Sequence, residues 1–244
     1  MIRTSSNKLM VLSAVLQRTH DFIVIGEVHG SKQNALLTQE LLFIILAEPK
    51  PITVAFEWGI TDSERDAFRT YICGGDVPAQ LPTFFLDSDG RFTHEHFSLL
   101  NWIRIYNSTH NNIIDIHTFA DSSNSEEPEQ AMADSLHAYK KHHTGSTILV
   151  ETGNMHARNS SYVSMGTKHV PMAAILKKNH TVFSIFLQYL QGKVLVEGRN
   201  LDVTEVTSQQ QGPGHYFDAM IEIPISEAAQ NHDSLTKIAQ LLQS

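Results

Sequence analysis

The sequence predicts an α/β domain: a mainly parallel sheet flanked by helices, with a helical insertion between its second and third strands. Two observations carry this expectation. Short β-branched or aromatic runs recur at Phe22–Ile25, Ile52–Phe56, Ile113–Phe119, Thr147–Val150, Val182–Leu187 and Phe217–Ile223, and most are separated by helix-like stretches. A parallel crossover needs only about 10–12 residues, yet the second and third runs are separated by everything from 57 to 112, so an added helical layer is expected at about 60–110. With 244 residues, 41% of them hydrophobic, one α/β domain is the expected organisation.

In chain order, Leu9, Leu12 and Leu16 share one face of an expected amphipathic first helix. Arg3 and Lys8 before Leu9–Leu16 faintly resemble a signal peptide, but no small-residue cleavage site follows. After the first strand, Ser31–Ala47 carries Leu37, Leu41 and Ile44 at helical spacing and stops before Pro49. Within the insertion, Thr61–Tyr71 and His94–Asn107 read as helices, the latter with Phe97, Leu100 and Ile103 on one side, and together they are a candidate lid. The Ser- and acid-rich stretch Asp121–Glu127 reads as a loop, and Pro128–Lys141 as a crossover helix opened by a proline suited to its first turn. Arg199–His215, with Gln209-Gln210-Gln211 and Gly212-Pro213-Gly214, reads as a mobile loop before the last strand.

Composition narrows the function. Lys and Arg total 18 against 26 Asp and Glu, a net charge of −8, which argues against a nucleic-acid partner. Cys73 is the only cysteine, so neither an intrachain disulfide nor a cysteine-based zinc cluster is available, and a cytoplasmic location is the expectation. The longest apolar run, Leu41–Ala47, falls far short of the roughly 20 residues that span a bilayer as a helix.

Ligands of an open parallel sheet lie beyond the carboxyl ends of its strands, where loops and helix N-termini converge. Every predicted exit is polar. The first ends in Gly26-Glu27-Val28-His29-Gly30, the second in Glu57-Trp58-Gly59, the third in Asp121 and the fourth in Glu151-Thr152-Gly153-Asn154-Met155-His156-Ala157. Glu27 and His29, two apart in an extended exit, share one side, while the flanking glycines permit a tight turn into the next helix. A single Gly-x-x-His is read as a turn with a helix-capping histidine. The second copy at Gly153–His156 changes that weighting, because sheet geometry brings neighbouring exits together. Glu57 ends an apolar run and is expensive to desolvate unless it meets a metal, an arginine or a protonated histidine; its bland alternative is a buried ion pair. Asp87-Ser88-Asp89-Gly90-Arg91 lacks the register of a calcium loop and reads as a turn, with Arg91 a candidate for substrate charge or an ordinary surface arginine. His94-Glu95-His96 is not a metalloprotease motif, since its histidines are two apart on a helix, and Thr93 as a cap explains it.

The sequence has no Gly-x-Ser-x-Gly elbow, no phosphate-binding Gly-x-x-x-x-Gly-Lys and no Gly-x-Gly-x-x-Gly, and Cys73 has no recognisable histidine partner motif. What is left is water chemistry, with a histidine or a metal activating water and carboxylates orienting it.

The order of Gly26-Glu27-Val28-His29-Gly30, Glu57, Asp89-Gly90-Arg91, Met132-Ala133 and Gly153-Asn154-Met155-His156-Ala157 resembles the erythromycin-esterase-like, ChaN-like and Tiki-like superfamily, from about Asp21 to Ile223. It looks closest to a bacterial ChaN-like branch. This resemblance implies an α/β sheet with a helical insertion and a pocket lined by the first-strand Glu and His, the second-strand Glu and the later His. Its branches imply water attack on a lactone, metal-dependent peptide cleavage or haem binding. Two features depart from the pattern: the esterase branch sets its first histidine three residues after the glutamate, and here Pro128-Glu129-Gln130-Ala131 stands where Arg-Asp often precedes Met-Ala. The expectation is therefore a hydrolase acting on an ester, lactone or peptide-like substrate. His29 activates water or binds metal, Glu27 and Glu57 hold metal or orient His29, His156 completes the cluster and Arg91 meets substrate charge. A divalent metal ion held by Glu27, His29, Glu57 and His156 is the candidate cofactor. Haem carriage and non-catalytic small-molecule binding are the alternatives.

Overall fold

The computed structural model describes residues 20–47, 50–76, 90–111, 113–119, 127–196, 199–207 and 216–229. The expected helix over Leu9–Leu16, the segments Asp87-Ser88-Asp89 and Gln209–Gly214, and Asp121 lie outside them.

Six strands form one parallel sheet: β1 (Phe22–Glu27), β2 (Ile52–Phe56), β3 (Ile114–Thr118), β4 (Thr147–Gly153), β7 (Val182–Tyr189) and β10 (Ala219–Ile223), in the order β10-β7-β1-β4-β2-β3. These are the six runs expected from the sequence. They read as continuous apolar segments because a parallel sheet is covered on both faces. Alternation within β1 shows this directly: Ile23 and Ile25 enter one core with Leu41, Val54, Phe56 and Leu149, while Phe22 and Val24 enter the other with Ile148, Val150 and Leu136.

The first core lies under α1 (Lys32–Ile45), α2 (Asp62–Ile72) and α3 (His94–Thr109). Each starts at a side-chain cap. Ser31 accepts from the Gln33 amide, Thr61 forms a reciprocal capping box with Glu64, and Thr93 forms one with His96. The described part of the insertion is thus helical, and its helices pack with α1 into the layer covering the sheet, where Phe68, Tyr71, Ile72, Leu99, Leu100 and Ile103 are buried. The second core lies under α4 (Pro128–His142) and α5 (Met172–Leu176).

Two hairpins depart from the sequence expectation. β5 (Tyr162–Ser164) and β6 (Thr167–His169) turn through Met165 and Gly166, both at positive φ, which matches the right-handed strand twist. The start of the stretch read as a mobile loop is ordered: β9 (Arg199–Asp202) pairs with β8 (Lys193–Val196) and leads into α6 (Val203–Thr207). Its anchor is non-local, for the Leu195 amide donates to the Gly30 carbonyl at 3.0 Å. No helix among the described residues is long and apolar enough to cross a membrane.

Candidate functional site

The sheet order makes β1, β4 and β2 consecutive neighbours, with Glu27 opposite Gly153 and Phe56 opposite Glu151. Their exits therefore open at one rim and are tied by backbone hydrogen bonds: the Asn154 amide donates to Glu27 O at 2.9 Å and the Glu57 amide to Glu151 O at 3.2 Å. After Gly153 the chain makes a helical turn, His156 N to Gly153 O at 3.0 Å, that lifts His156 above β1. Gly26 is required beneath that turn, because a Cβ there would stand 2.8 Å from the Ala157 Cβ and 3.1 Å from the Asn154 Cα.

Glu57 is the centre. Its side chain is 5% exposed. Oε2 accepts from Thr152 Oγ1 at 2.6 Å and from the Gly153 amide at 2.8 Å, and Oε1 accepts from Arg91 Nε at 2.9 Å. The same Oε1 lies 4.0 Å from His29 Nε2 and 3.7 Å from His156 Nε2. Burial alone would raise the pKa of this carboxyl, but His29, His156 and Arg91 outweigh it and hold the pKa down at about 2. Arg91 itself is fixed through its backbone, since Trp58 Nε1 donates to its carbonyl at 2.9 Å.

Each imidazole has a carboxylate at its other nitrogen. His29 Nδ1 is 2.6 Å from Glu27 Oε1, and His156 Nδ1 is 2.7 Å from Glu129 Oε1. Burial works against charge on both rings, yet the hydrogen-bonded carboxylates raise both above the ordinary histidine value. Burial and the nearby Glu151 push Glu27 up to about 7. Glu27 Oε2 has no hydrogen-bond partner among the described residues. Gly153 forms the floor between the rings: a Cβ there would lie 3.3 Å from His29 Nε2 and 3.5 Å from His156 Cδ2.

The five side chains singled out in the sequence, Glu27, His29, Glu57, Arg91 and His156, thus meet at one rim. Sequence reasoning missed Glu129, which orients His156 and also accepts from the Met172 amide at 2.7 Å. It also missed a buried group beneath Glu27. Glu151 accepts from Thr38 Oγ1 and from His96 Nε2, each at 2.5 Å, while the Thr93 amide donates to His96 Nδ1 at 3.2 Å and so assigns the imidazole proton to Nε2. Cys73 belongs to the opposite rim. It follows α2, whose last carbonyl, Ile72 O, is bridged by Asn107 Nδ2 to the Ile114 carbonyl at the start of β3.

A divalent cation needs several deprotonated donors turned towards one point. Here the Glu57 oxygens already accept from Arg91, Thr152 and Gly153, and a guanidinium nitrogen stands 2.9 Å from the oxygen that both imidazoles face. Among the described residues no group of three His, Cys, Asp or Glu side chains is arranged to hold a metal ion. The arrangement of Glu27, His29, Glu57 and His156 does not fit one without displacing Arg91.

No family model matches the chain, and no curated protein matches it. Among solved structures it is similar to a protein from Bacillus cereus, at 12% identity and a TM-score of 0.64, over 95% of this chain and 94% of that one. It is also similar to the C-terminal region of Pasteurella multocida toxin, described as having a thiol-protease-like catalytic triad, at 12% identity and a TM-score of 0.50, over 91% of this chain and 28% of that one. The type III effector HopBA1 aligns over 87% of this chain and 90% of its own, at 12% identity and a TM-score of 0.47. At these identities the first two likenesses are of fold.

Proposed function

We propose that the chain is a hydrolase in which His29, oriented by Glu27, takes a proton from water held between the two imidazoles. The observation that carries this is the convergence of two carboxylate-bound imidazoles, each with Nε2 turned towards Glu57 Oε1, above a residue without a side chain. A carboxylate on Nδ1 fixes the tautomer that leaves Nε2 facing the reactants. Glu57 and Arg91 fix the charge around that point, and Arg91 faces substrate charge. The motif order resembling the erythromycin-esterase-like, ChaN-like and Tiki-like superfamily supports the same reading, with an ester, lactone or peptide-like substrate. The fold shared with the toxin region is compatible with hydrolytic chemistry, but a thiol mechanism does not transfer, since Cys73 sits at the far rim.

The test is a screen of ester, lactone and peptide substrates with His29→Gln as control. Loss of a positioned general base is expected to lower turnover by about 10²–10⁴-fold. An unchanged rate in that variant removes the proposal. Because its partners raise His29 above the ordinary value of 6.5, its Nε2 is occupied by a proton below that value and becomes a base only as pH rises through the higher one. The rising limb of the pH–rate profile is therefore expected above pH 6.5 and is read from initial rates. Gly153→Ala sets a methyl 3.3 Å from His29 Nε2 and in ordinary contact with His156, in the space proposed for the water, and is expected to lower turnover with little change in the unfolding midpoint.

A further inference from the structure

We infer that His156, oriented by Glu129, protonates the departing group, and that the substrate is an ester or amide whose leaving group is too basic to depart as an anion. This rests on the hydrolytic reading above and specifies the class of bond it acts on.

One imidazole is sufficient to activate water against an ester with a stabilised leaving group. This site holds two. His29 Nε2 and His156 Nε2 lie 4.0 and 3.7 Å from the same Glu57 oxygen, beyond hydrogen-bonding reach of it, and they bound the space that Gly153 leaves clear. A second oriented imidazole contributes to the rate only if a second proton must move. Glu129 is built to orient it, with Oε1 on His156 Nδ1 and Oε2 on the Met172 amide, each at 2.7 Å, so both oxygens of the carboxylate are fixed. The two imidazoles are equally exposed, and the carboxylates behind them differ: Glu27 at the end of β1 is 3% exposed and Glu129 30%.

The step balances without a further reagent. A water oxygen bonds to the acyl carbon as its proton passes to His29 Nε2. The bond from that carbon to the leaving oxygen or nitrogen then breaks as the Nε2 proton of His156 passes to that atom. Transfer of the proton from His29 back to His156 restores the resting state. His156 is the catalytic residue and Glu129 its positioning residue.

The experiment compares 4-nitrophenyl, phenyl, trifluoroethyl and ethyl acetates in the wild type, His156→Gln and Glu129→Gln. A general acid contributes about 10²–10⁴-fold where the leaving group needs a proton. His156→Gln is expected to show a fall of that size with the ethyl ester and one below about tenfold with the 4-nitrophenyl ester, steepening the dependence of rate on leaving-group basicity. Glu129→Gln, which keeps the shape of the side chain, is expected to steepen it in the same direction by a smaller amount. Equal falls across the series in both variants overturn the assignment of His156 while leaving the hydrolytic reading intact. A wild type inactive on all four esters and on the lactone and peptide substrates of the screen overturns both.

Discussion

Glu57→Gln is expected to bring turnover to background and to destabilise the fold by about 3 kcal/mol at neutral pH, the cost of breaking a buried charge cluster by removing one partner. The reasoning starts from desolvation. A carboxylate 5% exposed is costly unless its charge is matched, and here it faces Arg91, His29 and His156 while accepting from Thr152 and Gly153. Those partners lower its pKa from 4.5 to about 2, and each unit is worth about 1.4 kcal/mol of differential interaction. A lowered carboxyl value means stability that is fully present above 4.5 and is lost as pH falls through about 2. Denaturant titrations of wild type and variant should therefore differ at pH 7 and converge as pH falls from 4.5 towards 2. In the variant, His29 and His156 lose an anion from their surroundings, and their NMR titrations should shift to lower pH. A neutral-pH difference that persists unchanged at pH 2 would falsify the charge-cluster account.

Much of this arrangement was legible because it depends on local rules. Strands buried on both faces announce themselves as apolar runs, and an acid that ends such a run, as Glu57 does, stands out. The Glu27–His29 contact follows from the two-residue period of an extended exit, and the meeting of that pair with His156 follows once β1 and β4 are neighbours. What was not legible is non-local. Glu129 lies in the first turn of α4, where a carboxylate is already explained by the helix dipole, and only the packing of α4 on the turn after β4 gives it to His156. His96 was read through the cap at Thr93, which is present, but its second bond crosses from α3 to Glu151 on β4. A signal for it was available. His96 falls on the same helical stripe as Leu100, Ile103 and Asn107, so a polar residue there required a buried partner. The β8–β9 hairpin was missed because β9 is largely polar and the anchor of β8 is the backbone of Gly30, which no side-chain pattern reports.

That backbone junction is where the other large effect is expected: Gly30→Ala should cost about 5 kcal/mol or more, in the range reached only by backbone strain or buried disruption and comparable with the whole stability of many domains. Gly30 has a φ of +83°, where an L side chain is strained by about 1–3 kcal/mol before any contact is counted. A Cβ there would lie 1.9 Å from the Leu195 carbonyl oxygen and 2.7 and 2.8 Å from the Leu195 carbonyl carbon and amide nitrogen, all backbone atoms that have no rotamer to move. Relieving the overlap requires separating the β8–β9 hairpin from the β1 exit. That breaks Leu195 N–H to Gly30 O at 3.0 Å and strains its companions, Ala229 N–H to the same oxygen at 2.7 Å and Gly30 N–H to Gly90 O at 3.0 Å. Because Gly30 follows His29 and Gly90 precedes Arg91, the damage reaches both sides of Glu57, so any folded fraction should lose turnover as well. Gly145→Ala is the matched control, since a Cβ there meets nothing within 4 Å, and it should leave the urea midpoint close to the wild-type value. If the two variants unfold at the same urea concentration, the three-way junction at Gly30 does not hold the site together.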